Sequence, residues 1–160
     1  MSCLCRFSTA DHIVIWSVRT WSRGRSEWHR VENELSGPFG VEAGQSLSRN
    51  LYTLYYLIGG AATREFLLAP LKCARISEDE QLLVGVLAEA QRDNWPFAVA
   101  CLENFLPQTC LRHAFEPIAA IATILDRAGY RFTRQPELLS HEALKAYRHG
   151  PDRAPSIASH

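Results

Sequence analysis

"RISEDEQLLVGVLAEAQRDN", residues 75–94, is the stretch on which the fold class turns. Ser77 stands three residues before Glu80. That is the spacing of a capping box, in which the serine hydroxyl accepts from the Glu80 amide and the carboxylate accepts from the Ser77 amide. Glu78, Asp79 and Glu80 put three acids into the first turn, where the positive end of the helix dipole favours them. Leucine, valine and alanine follow as far as Asp93 and Asn94, so the stretch predicts a helix from Ser77 or Glu78 to about Asp93.

Helix signals continue in both directions. Pro96 fits the first position of a helix "PFAVACLENFL" that Pro107 stops, making a tight helical hairpin. Thr109 is expected to cap "CLRHAFEPIAAIATILDRA", which Gly129 closes and which Pro117 kinks or starts. A short sixth helix, capped by Ser140, is expected over His141–His149. Toward the N-terminus, "ATREFLLAPLKCAR" has no clean period and contains Pro70, so it reads as a short helical turn and an extended connector. Leu47, Leu51, Leu54 and Ile58 recur at helical spacing between Glu42 and Ile58, closed by Gly59 and Gly60. "SGPFG" separates that helix from a first one running from Thr9 to about Leu35, with Ser8 or Thr9 as cap and Asp11 in its first turn. No strand-length alternation and no fixed-period repeat is found. The expected fold is all-α, a single-domain bundle of five to six helices over residues 9–149, with a loose N-terminus 1–8 and a flexible tail 150–160. The first two helices form an antiparallel pair, and the next three pack around them.

The chain of 160 residues is long enough to bury one core, and 47% hydrophobic with 21% charged residues is the balance of a globular domain. Seventeen basic residues offset seventeen acidic ones, so no whole-molecule field draws the protein to nucleic acid or anionic membrane. No run reaches the roughly 20 apolar residues of a membrane span. Five scattered cysteines, Cys3, Cys5, Cys73, Cys101 and Cys110, and the lack of a secretory layout predict reduced thiols and a cytoplasmic location.

Chemistry-bearing motifs are sparse. The glycine-rich phosphate loop, HExxH, GxSxG and CxxC are all missing. His113 and Glu116 reverse the Glu-x-x-His order of di-iron bundles and have no second copy. Cys3 and Cys5, in "CLC", fall short of the four ligands of a structural zinc site. Neither a metal nor a cofactor is expected. Tyr52 and Tyr56 share one helix face and Tyr55 another, as suits a helix packed on two sides in the core or one at a subunit contact.

"IVIWSVRTWSRGRSEWHRV", residues 13–31, interleaves tryptophan with arginine. On one continuous helical wheel Val14, Val18, Trp21, Trp28, Val31 and Leu35 fall on the core side, and His12, Arg19, Arg23 and Arg30 fall opposite with Trp16 at the edge. Arg25 lies between Trp21 and Trp28 at the border and there needs an acid, a carbonyl or an indole face. Asp11, Glu27, Glu32 and Glu34 on the same helix argue against nucleic acid. The pattern itself is that of a core helix burying Trp21 and Trp28 with its arginines in water; the missing catalytic motifs and the surplus of aromatic and apolar residues point to a self-associating, non-enzymatic interaction or regulatory protein that binds itself or another protein through Trp16, Arg19, Arg23, Arg25 and Arg30. The alternative is a small-molecule or metal-binding protein, or an enzyme, with a pocket near Trp21, Arg25 and Trp28.

Cys73, Arg75, Ile76, Ser77, Asp79 and Glu80, within "KCARISEDEQLLVGVLAEAQ", resemble small helical bacterial proteins in which a cysteine, an arginine and a capped "ISxDE" helix start occur together. The resemblance covers about twenty residues, implies a bacterial cytosolic origin, and carries no activity.

Overall fold

The computed structural model describes residues 2–133; the expected sixth helix with its Ser140 cap and the expected tail lie outside the described residues. Among those described, the chain is an all-α bundle of five helices: α1 (Thr9–Trp21), α2 (Arg25–Ala61), α3 (Glu78–Gln91), α4 (Trp95–Leu102) and α5 (Gln108–Arg127). A two-residue strand β1 (Ser2–Cys3) pairs antiparallel with β2 (Arg75–Ile76).

Ser8 caps α1 in a full capping box with Asp11, whose buried carboxylate also accepts from the Thr133 amide beyond α5. The helix does not run on to Leu35 as the wheel required. It ends at Trp21, and Gly24 takes φ 116, a region that favours glycine. Arg25 therefore starts a new helix with its own orientation, and the wheel drawn across 9–35 joins two unrelated faces.

Helix α2 is itself two legs. Gly40 (φ 83, ψ 167) breaks the helical backbone, so residues 25–39 and 41–61 form the expected hairpin around "SGPFG". Gly44 lets the legs close, since a Cβ there would stand 2.7 Å from the Leu35 carbonyl oxygen. Trp28 from the first leg meets Tyr52 and Tyr55 from the second edge to face, with ring centroids 5.4 and 6.1 Å apart.

Ser77 and Glu80 form the predicted capping box of α3. Asp93 (φ 59) turns the chain into α4, which has Pro96 in its first turn and stops at Leu102, short of the expected Leu106. Helix α5 begins at Gln108 with Pro107 at the cap position, so Thr109 lies inside it; it runs through the buried Pro117, and Gly129 (φ 85) follows its end. Residues 62–74 are an extended connector without the expected helical turn. Helix α2 packs on α1 and α5, and α3 on α4 and α5. The shared core includes Val14, Val18, Leu47, Leu51, Leu83, Leu87, Ile118 and Ile121.

Candidate functional site

The arginines must first be sorted into those the fold consumes and those it leaves available. Arg19 belongs to the fold. It is only 2% exposed, and the wheel's placement of it on a wet face is corrected by a second layer of chain that covers that face. Its Nε and Nη2 donate to the two carboxylate oxygens of Glu80 at 2.7 and 3.0 Å. Nη2 also donates to the Arg75 carbonyl at 2.8 Å, and Nη1 to the carbonyls of Cys73 and Leu71 at 2.9 and 3.5 Å. All five guanidinium N–H groups are thereby used, which is what makes such burial tolerable.

Glu80 closes the capping box and counters Arg19 with the same carboxylate. Its neighbour Asp79, also buried, accepts two bonds from Arg64 at 2.7 and 3.0 Å and one from the Leu67 amide at 2.7 Å. The stretch resembling small bacterial proteins thus has a structural account. Ser77 caps, Ile76 fills the core, Cys73 and Arg75 lend carbonyls, and the two acids clamp the connector and α1 onto α3.

The remaining arginines of the tryptophan-rich stretch are exposed, including Arg25, which the wheel had placed at the border of the core. Arg30 is paired with Glu27 at 3.3 Å. Arg23 and Arg25 have no hydrogen-bond or ion-pair partner among the described residues. Trp16 is half-buried and Trp28 fully buried, as the pattern predicts; Trp21 is half-buried and leans on Tyr55 and Gly59.

A cleft of about 660 Å³ runs between the α2 legs. Arg25, Trp28, His29 and Glu32 line it from the first leg, and Gln45, Ser48, Arg49, Tyr52 and Thr53 from the second. Both sets follow helical spacing, three or four residues apart, so each is one stripe of one leg. Arg25 and Arg49 stand on opposite legs, both exposed, and Arg49 likewise lacks a partner among the described residues. His29 Nδ1 is 3.0 Å from Glu32, the one acid in the lining, and neither arginine is paired with it. Tyr52 stacks on Tyr56 at 6.3 Å, and Tyr56, 67% exposed, extends the aromatic surface past the rim.

The pocket expected near Trp21, Arg25 and Trp28 is divided. Arg25 and Trp28 belong to this cleft, whereas Trp21 lines a separate cavity of about 350 Å³ with Tyr55, Ile58, Phe66 and Leu68. The sequence reading missed the second leg's contribution, although the spacing of Gln45, Arg49, Tyr52 and Thr53 was there to be read. A third depression, of about 430 Å³, is apolar and lies between Trp95, Val99, Phe115 and Ala119. No group of three or more histidine, cysteine or acidic side chains able to hold a metal occurs among the described residues, and no described helix is long and apolar enough to cross a membrane. No protein-family model, curated protein or solved structure matches this chain.

Proposed function

We propose that the protein is a non-enzymatic interaction module that holds a carboxylate-bearing segment of a partner protein in the cleft between the legs of α2. The observation that carries this reading is the pair Arg25 and Arg49. They are two exposed guanidinium groups on facing helices, neither ion-paired among the described residues and outnumbering the cleft's one acid, Glu32, and they stand beside Trp28 and Tyr52. Guanidinium matches carboxylate in a planar two-bond geometry, and aromatic side chains supply contact area at low entropic cost. Most of the residues lining the cleft are exposed, which suits a segment of a partner protein better than a small molecule that must be enclosed.

The test is a titration with fluorescein-labelled glutamate-rich peptides that carry aromatic residues, with lysine-rich peptides as controls. Saturable binding of the acidic peptides is expected, weaker by about tenfold in Arg25→Ala/Arg49→Ala and falling as salt rises. Equal affinity for lysine-rich peptides, or no loss in the double variant, overturns the reading. Sedimentation of the unliganded protein, with and without the double substitution, shows whether a second copy of the chain is the partner.

A further inference from the structure

Cys3 and Cys5 lie outside the cleft, and both are exposed, with their sulfur atoms 2.7 Å apart. Chance flexibility does not account for the pairing, because the turn carrying them is tied down on both sides. Cys3 sits in β1 opposite Arg75, the Leu4 amide donates to the Ala74 carbonyl at 2.7 Å, and His12 Nε2 donates to the Leu4 carbonyl at 2.8 Å. The Cys5 amide donates to the Cys3 sulfur at 3.4 Å. Two thiolates sharing a tetrahedral zinc ion are about 3.8 Å apart, given Zn–S bonds of about 2.3 Å. A pair closer than that is arranged for sulfur to meet sulfur.

We propose that Cys3 and Cys5 form a reversible dithiol–disulfide site that exchanges with low-molecular-weight disulfides such as oxidised glutathione. Cys3 attacks and Cys5 resolves. The Cys3 thiolate bonds to one sulfur of the small disulfide and releases its other half as a thiolate, which takes a proton from solvent. Cys5 then gives up its proton, its sulfur bonds to Cys3, and the second glutathione leaves as a thiolate. One small disulfide becomes two thiols while the protein loses two electrons and two protons. The order of attack follows from the surroundings. The hydrogen bond from Cys5 holds the Cys3 thiol below its ordinary range, with help from the Cys5 amide and from the charges of Arg6 and Arg75, and the same sulfur contact pushes the Cys5 thiol up.

The experiment equilibrates the folded protein with glutathione at stepped ratios of oxidised to reduced form. It is then quenched in acid, alkylated and mapped by mass spectrometry. The peptide holding residues 3 and 5 is expected to lose two hydrogens as one two-electron transition, with reduced glutathione restoring the dithiol. Cys5→Ser is expected to accumulate a glutathione adduct on Cys3, and early acid quench of the unsubstituted chain is expected to trap the transient mixed disulfide on Cys3 rather than Cys5. Stable adducts on the unsubstituted chain, a bond from either residue to Cys73, or no oxidation across the glutathione range overturns the proposal. A transient adduct trapped first on Cys5 also overturns it. Both positions are exposed, and the circular-dichroism helix signal of each variant checks that it is folded.

Discussion

Arg19 shows what periodicity can and cannot report about a residue. The wheel put it opposite Val14 and Val18, and that angular relation holds within α1. Whether that side meets water is decided by Glu80 and by the carbonyls of the connector, more than fifty residues further along the chain. Removing one partner of such a pair strands the other as an uncompensated buried charge. Arg19→Ala and Glu80→Ala are each expected to lower unfolding stability by about 3–5 kcal/mol in urea denaturation, whereas Arg23→Ala at the exposed turn should change it by less than about 0.5 kcal/mol. A second residue-scale expectation concerns Cys101. Burial, with Glu89 nearby, pushes its thiol from 9.0 up to about 12. Above pH 9 the unfolded thiol releases its proton while the folded one keeps it, so the native state binds more protons and stability falls as pH rises. Cys101→Ala should flatten the loss of stability between pH 9 and 10 by up to about 1.4 kcal/mol per pH unit, measured by denaturation at each pH.

At the scale of elements, the signals that were legible were those that act within one turn. The capping boxes of α1 and α3 form at Ser8 and Ser77 because cap and acid lie three residues apart and need nothing else. Ser77→Ala should cost about 1 kcal/mol or somewhat more, because its hydroxyl also donates to the Leu67 carbonyl at 2.8 Å; thermal unfolding checks this. Breaks were harder to read. "SGPFG" announced the hairpin by composition, but the break at Ser22–Gly24 rests on one glycine within an otherwise helical pattern. Contacts between elements were not legible at all. Gly44 looks like any helical glycine, yet it sets how closely the legs pack and so how wide the cleft stands. Gly44→Ala is expected to destabilise the protein by about 1–3 kcal/mol through backbone overlap and to weaken peptide binding in the cleft. Gly60→Ala, near the end of the second leg with nothing within 4 Å of the new Cβ, should stabilise that leg by about 0.5–1 kcal/mol and leave binding intact.

For the whole molecule, the connector over 62–74 has no regular secondary structure, yet most of the bundle meets there. It lends carbonyls to Arg19 of α1, gives Arg64 and the Leu67 amide to Asp79 of α3, and accepts the Phe66–Phe105 ring contact beyond α4. The Thr63 amide donates to the Phe105 carbonyl, and Arg64 Nε donates to that of Asn104. The Thr63, Leu67 and Cys73 amides, each donating to a carbonyl or carboxylate, should be protected from hydrogen exchange although they lie outside any helix. Asp79→Ala removes three of these bonds at once and should release protection of the Leu67 amide by at least about an order of magnitude, read by exchange mass spectrometry. The cleft is built from α2 alone and has no lining residue in the connector. Acidic-peptide affinity should therefore persist in Asp79→Ala at temperatures where the variant stays folded. If affinity falls together with connector protection, the legs of α2 owe their spacing to the clamp at Asp79 and Glu80, and the cleft is not a self-sufficient hairpin feature.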